Sequence, residues 1–202
     1  KFNLPIIQDG AQSLGGIYKG KKTGANTTIS TMSFHMAKMI TTIEGGMVFT
    51  NNKKIYEELL IRRNIGEPFN KKYTHTHLGT NARMTELCAG IGLAQLSKLD
   101  DFVNQRNEIA YEYDELFLNS NFKVQVIKKL EKHSRNAYFF YPILINQRNK
   151  IANNLRNSYG IDTRIAYPKP IFKQPFYKNN QNLYKAQNCV VSEYVTSKIL
   201  NL

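Results

Sequence analysis

The sequence has no tryptophan, two cysteines, six prolines and few acids, with 15 Asp and Glu against 28 Lys and Arg and a formal net charge of +13. Each shortage excludes something. Cys88 and Cys189 lie far apart and without a CxxC spacing, so neither a zinc site nor a disulfide framework is indicated. Small, buried and apolar is their plainest role. No run approaches the roughly 18 uninterrupted apolar residues of a bilayer span. The leading KFNLPIIQDG also lacks the long apolar core of a signal peptide. A cytoplasmic protein without membrane insertion is expected. The basic excess is scattered in short clusters, such as Lys19, Lys21 and Lys22 or Lys71 and Lys72. No nucleic-acid module signature accompanies them, and the excess travels with abundant Asn, Ile and Tyr, so it reads as compositional drift rather than as a patch for DNA or RNA.

What is present is a globular composition, 202 residues with 42% hydrophobic content, enough for one large or two small domains. LPIIQD reads as a short buried strand ending in Asp9. A carboxylate there lies where α/β sheets bind ligands, although a helix N-cap explains it as cheaply. The Gly-rich stretch 15–21 nearly satisfies a phosphate-loop pattern, but Lys22 occupies the Ser/Thr position and no strand leads into it. Ile29–Phe34 and GMVFT (46–50) alternate as strands, and Lys53–Arg63 has helical spacing at Ile55, Leu59 and Leu60, with Tyr56 a further candidate. Strand, turn, strand, helix is an α/β layout. The irregular segment 64–83 contains His75 and His77, with no nearby Cys or acid to complete a metal site. A loop that long is more often functional than idle.

From Met84 to Phe117 the residues Met84, Leu87, Ile91, Ala94, Leu99, Phe102, Ile109, Tyr113 and Leu116 track one helical face, with Asp100-Asp101 marking a kink or fresh start. This is the expected joint between a first domain, 1–100, and a second, 101–202. FKVQVI, AYFFYPILI and DTRIAY read as strands of an α+β second domain. Between them Gln147–Tyr159 reads as a helix closed by Gly160, and YPKPIFKQP breaks regular structure.

The chemistry centres on Lys38. It lies between apolar neighbours Met36, Ala37, Met39 and Ile40, five residues after Ser33 and seven before a glycine pair, an odd setting for a residue that is usually solvated. An enzyme using pyridoxal phosphate needs a lysine amine to hold the aldehyde and shuttle protons. It also needs an acid opposite the pyridine nitrogen, and hydroxyl or backbone donors for the phosphate. Lys38, Asp9 and Ser33 can fill those roles. Spacing alone only permits this.

The segments IIQDGAQSLGGIYKGKKTG, SFHMAK, EGGMVFTN, NARMTELCAGIGLAQLSKLDDF and YPKPIFKQPFY resemble, in order and at similar intervals, the DegT/DnrJ/EryC1/StrS family of sugar aminotransferases. The resemblance covers nearly the whole chain. It implies an α/β, aspartate-aminotransferase-like (fold type I) PLP-dependent transferase, here part of the large domain followed by the α+β C-terminal domain. Asp9 would pair with the pyridinium nitrogen, Ala11 would pack on the ring, and Gln12 would lie by its 3-hydroxyl. Ser33 would bind the phosphate, and Lys38 would carry the cofactor and move the proton. Asn81 would reach the phosphate of a neighbouring subunit's cofactor, making a homodimer with shared sites. His35 lies in the right neighbourhood for substrate, as do Arg164 and Lys169.

The implied activity is transfer of an amino group, from glutamate, onto a nucleotide-diphosphate-linked keto-sugar, with the cofactor alternating between pyridoxal and pyridoxamine phosphate. Aminosugar or surface-polysaccharide biosynthesis would use the product. The YPKP segment is most similar to members acting at carbon 3. Relatives start well before the equivalent of residue 1 and continue past that of Leu202, so the chain is expected to be part of a longer protein that binds the cofactor poorly alone. The rivals are a PLP-using sugar dehydratase, in which histidine replaces the lysine, a non-catalytic member, and a nucleic-acid-binding protein. Lys38 argues against the first.

Overall fold

Burial alternates along Ile29–Ser33, with Ser30 and Met32 buried and Ile29, Thr31 and Ser33 only half-covered. That alternation places one side of a strand on the core and leaves the other for ligand chemistry. The computed structural model describes residues 2, 4–25, 27–126, 132–180, 182 and 189–202. The chain divides into two units, Lys1–Glu108 with Leu130–Phe139, and Ile109–Lys129 with Phe140–Leu202. The expected cut at residue 100 is a single crossing, whereas this division lies within a helix and returns 130–139 to the first unit.

In the first unit, β1 (Ile7–Asp9) pairs in parallel with β4 (Ile29–Ser33), which pairs antiparallel with β5 (Gly46–Phe49). Between β1 and β4 lies a hairpin, β2 (Ile17–Tyr18) and β3 (Lys21–Lys22). Its two-residue turn has Lys19 at φ 49° and Gly20 at φ 79°, the doubly left-handed geometry that matches strand twist. The near-phosphate-loop stretch is therefore this hairpin. β1 is not the buried strand expected, since Ile7 is 72% exposed. Among the described residues β1 is paired on one side only, which makes it an edge strand.

Helix α1 (Lys53–Arg63) starts at Asn52, whose side chain accepts from the Ile55 N–H. Ile55, Leu59 and Leu60 are half-buried as the spacing predicts, and Tyr56 is exposed. The long helical signal resolves into α2 (Glu86–Leu96), capped by Thr85, and α3 (Leu99–Leu118). The face read across both holds only in part. Leu99 is buried and Met84, Ile91, Phe102 and Tyr113 are half-buried, whereas Leu87, Ala94, Ile109 and Leu116 are exposed and Val103 and Ala110 take buried positions of α3. Leu99 and Val103 join Met32, Phe34, Met39, Ile40 and Ala137 in the core of the first unit. Arg135 fastens that core, since its guanidinium donates to Asn104 Oδ1 at 2.8 Å and its backbone pairs with Ile17.

In the second unit, β6 (Gln125–Val126), β7 (Pro142–Leu144) and β8 (Ile199–Asn201) form an antiparallel sheet with β7 central. DTRIAY is not its third strand. It contributes one bridge, Arg164 to Asn201, and the chain end ILN takes the strand position. Leu200 and Ile143 are buried there. Ile127 of the predicted FKVQVI strand lies outside the described residues. Helix α4 (Arg148–Tyr159) ends at Gly160, φ 67°, whose N–H donates to the Arg156 carbonyl at 3.1 Å. Short α5 (Pro175–Asn179) follows the proline-rich break, and α6 (Val190–Lys198) leads into β8. Arg148, 8% exposed, donates to the Thr196, Ile199 and Pro168 carbonyls and so ties α4, α6 and the proline-rich segment. Burial lowers its guanidinium pKa below the ordinary value. No described helix is long and apolar enough to cross a membrane.

Candidate active site

The parallel pairing of β1 with β4 brings both carboxyl ends to one edge, with Asp9 opposite Thr31. Paired residues project to the same face, and Ser33 lies two residues beyond Thr31, so Asp9, Thr31 and Ser33 share the face opposite buried Ser30 and Met32. Asp9 is exposed, and its Oδ1 accepts from the Ala11 N–H at 3.0 Å. No cation among the described residues pairs with it. Gly10 lets the chain turn over β4. Its N–H donates to Thr31 O at 2.8 Å, and a Cβ would meet Met32 Sδ at 2.7 Å and that carbonyl at 2.8 Å. Ala11, half-buried, and Gln12, exposed, occupy the turn that follows.

Lys38 lies in the loop joining β4 to β5, and Phe34 closes that loop. The Phe34 N–H donates to Gly45 O, and its carbonyl accepts from the Thr42 N–H, each at 2.9 Å. Thr41 Oγ1 donates to the same carbonyl at 3.2 Å. Phe34, Met39, Ile40 and Thr42 are all buried. Two of the four apolar neighbours of Lys38 are thus core, whereas Met36 and Ala37 are exposed. Gly45, φ 154°, has Thr42 Oγ1 2.4 Å from where a Cβ would stand, and Met84 Cε 3.0 Å away. No side chain fits there. Gly92 of α2 approaches the loop from the other direction, its Cβ position 2.7 Å from the Thr42 methyl.

Lys38 itself is half-buried. Its N–H donates to His35 O at 2.9 Å, and its Nζ lies 4.9 Å from the centroid of the Phe139 ring, within cation–π range. The His35 ring is used within the loop. Nδ1 accepts from the Ala37 N–H at 3.2 Å, which in the neutral ring puts the proton on Nε2, 3.7 Å from Glu44 Oε1. The His35 N–H in turn donates to Ser33 Oγ at 3.4 Å.

Asn81 stands apart from this cluster, on the segment 64–83 that leaves α1. It forms an antiparallel bridge with Asn64, and its Oδ1 accepts from Arg83 Nε at 3.1 Å. The two histidines of that segment are engaged separately, His75 Nδ1 with Ile65 O at 3.1 Å and His77 Nε2 with Glu58 Oε1 at 3.1 Å. Among the described residues no group of three or more His, Cys, Asp or Glu could hold a metal ion. Arg164 and Lys169 belong to the second unit, and both are exposed. Arg164 is fixed through its backbone, which exchanges bonds with Asn201. The sequence reading missed Phe139, Glu44 and Glu58, which no spacing connects to Lys38, His35 or His77.

Asp9 and Ser33 thus share one face at one end of the sheet, and Lys38 lies in the loop that follows β4. The family model described as the DegT/DnrJ/EryC1/StrS aminotransferase family matches residues 1–202. The chain is 40% identical over 178 residues to the GDP-perosamine synthase of Escherichia coli O157:H7, covering 87% of this chain and 47% of that protein. It is 35% identical over 201 residues to the UDP-4-amino-4,6-dideoxy-N-acetyl-beta-L-altrosamine transaminase of Campylobacter jejuni, covering 93% and 53%. A DegT DnrJ EryC1 StrS aminotransferase from Brucella abortus has the same fold, with a TM-score of 0.87 and 31% identity over 98% of this chain and 52% of that one. The chain spans about half the length of the curated relatives it matches.

Proposed function

The chain belongs to the DegT/DnrJ/EryC1/StrS aminotransferase family, and from that premise we propose that it carries the lysine-bearing portion of a PLP-dependent aminotransferase acting on nucleotide-linked keto-sugars. The observation that carries this is the β1–β4 register, which sets Asp9 and Ser33 on one face at the strand ends, with Lys38 in the loop that continues β4. The mixed α/β fold is the fold type I architecture of its structural relatives. The first unit supplies the cofactor-binding part, and the second is the small domain.

The residues fit the cofactor. Asp9, unopposed by any described cation, would hold the proton on the pyridine nitrogen. Ala11 would lie against the ring and Gln12 beside its 3-hydroxyl. Ser33 would hold the phosphate, and Asn81 would reach the phosphate of a second copy in a homodimer. Bound there, pyridoxal phosphate would supply an electron sink for the carbon that loses a proton. Lys38 would hold the cofactor through its amine and serve as positioned acid and base. Its Nζ lies against the Phe139 ring, in the loop closed between Phe34 and Gly45. His35, Arg164 and Lys169 contact substrate.

Glutamate is the amino donor, the acceptor is a sugar carried on a nucleoside diphosphate, and the reaction takes place in the cytoplasm during aminosugar or polysaccharide synthesis. The basic balance of the chain suits that acceptor. The test is to load the full-length protein with pyridoxamine phosphate and present dTDP-, UDP- and GDP-linked keto-sugars with the ketone at carbon 3 or carbon 4, following the return of the pyridoxal absorbance. Return with one of these, and none with the matching non-keto sugar, is expected. No return with any member of the panel, in a protein that accepts an amino group from glutamate, would sink the proposal.

A further inference from the structure

We propose that Glu58, on α1, is a positioning residue for Asn81, acting through His77 to hold the segment 64–83 against the end of that helix. This rests on the reading of Asn81 as a contact to the cofactor phosphate of a second copy. Glu58 uses both carboxylate oxygens, Oε1 with His77 Nε2 at 3.1 Å and Oε2 with Arg62 Nη2 at 3.3 Å. Arg62 Nη1 donates to Leu78 O at 3.3 Å, and His77 Nδ1 bonds Thr76 Oγ1 at 2.8 Å. One carboxylate thereby holds His77 to α1 directly and orients the Arg62 guanidinium that bonds Leu78.

The backbone continues the attachment toward Asn81. The Ile65 N–H donates to Thr80 O at 3.0 Å, and the Thr80 and Ala82 N–H groups donate to Arg62 O and Arg63 O, each at 2.9 Å. Asn81 is flanked by two residues bonded to the last turn of α1. Glycines permit the approach. A Cβ on Gly66 would stand 1.8 Å from His77 O, and one on Gly79 would stand 2.1 Å from Gly66 N. Asn81 Oδ1 is occupied by Arg83, and its amide nitrogen has no partner among the described residues. It is a donor held ready for an anion.

A single exposed ion pair contributes little, but Glu58 is the shared member of a network, and removing a shared member loosens all the others. Its carboxylate is about half exposed, which leaves global folding able to survive its loss. In full-length apoprotein, Glu58→Ala is expected to speed hydrogen exchange at the Ile65, Thr80 and Ala82 amides while β4 and β5 are unchanged. It should also weaken binding of added pyridoxal phosphate roughly fivefold. Glu58→Gln keeps an acceptor for His77 and should recover most of both effects. Added to Asn81→Ala, Glu58→Ala should weaken binding no further, because both act through one amide. Independent, multiplying losses in the double variant, or unchanged exchange in Glu58→Ala, would overturn the positioning role alone. Unchanged affinity in Asn81→Ala would overturn the assignment of Asn81, and the positioning role with it.

Discussion

Two segments present the proposed catalytic and cofactor groups, and they are built by opposite means. The Lys38 loop, 35–45, is anchored by burial. Phe34, Met39, Ile40 and Thr42 are in the core, and the loop returns to the strand it left. The Asn81 segment, 64–83, has few buried residues and exposed Phe69, Tyr73 and Leu78. It keeps its shape by hydrogen bonds to α1 and by glycine backbones in direct contact. Burial fixes a group against its own core with a strength set by apolar area. Hydrogen bonding fixes an exposed group that no core covers. On the proposed reading, the first would serve an amine of its own site and the second a donor offered to another copy.

The largest expected effect tests what the buried loop is for. Lys38→Ala in the full-length protein should lower transamination on the order of 10³-fold or more and remove the absorbance of covalently held cofactor, with the circular dichroism unchanged. Activity near that of the native protein would break the central assignment. Next, Ile40→Ala should cost about 3 kcal/mol of global stability, because it opens a cavity under the loop. The denaturation midpoint reads this, and a shift of a few tenths of a kcal/mol would mean that burial does not hold Lys38.

Gly66→Ala probes the other segment. Gly66 has φ +78° and backbone within 1.8 Å of its Cβ position, so the added methyl should cost about 2 kcal/mol. That cost is expected as faster exchange confined to 64–83, with little change in the global midpoint, the reverse of Ile40→Ala. If both variants lower the midpoint alike, the two segments are not held by different means. Smallest is Arg83→Ala, which frees Asn81 Oδ1 and should alter cofactor affinity by about twofold or less, measured by titration of the apoprotein.

Several elements of both units were legible because their signals are local. The β4 alternation, the Lys53–Arg63 periodicity, and Gly160 after Tyr159 each depend on a few neighbouring residues. Errors arose where a reading assumed continuity or burial over distance. The helical face drawn from Met84 to Leu116 failed at Leu87, Ala94, Ile109 and Leu116, which are exposed although apolar, and LPIIQD was expected to be covered on hydrophobicity alone. DTRIAY lost its strand position to ILN because partner choice depends on which segment can fill the face beside Ile143.

For the site, the sequence by itself supplied the residue types and their order, namely Asp9, Ser33, Lys38 and Asn81 within motifs that resemble the family, while their spacing alone only permitted the chemistry. It did so because strand ends and tight turns are encoded by neighbours along the chain. Only the tertiary structure decided that Asp9 and Ser33 share a face, that Phe139 lies beside the Lys38 amine, and that Glu58 holds His77. Those relations join residues far apart in sequence, and only strand register and packing bring them within a few ångströms.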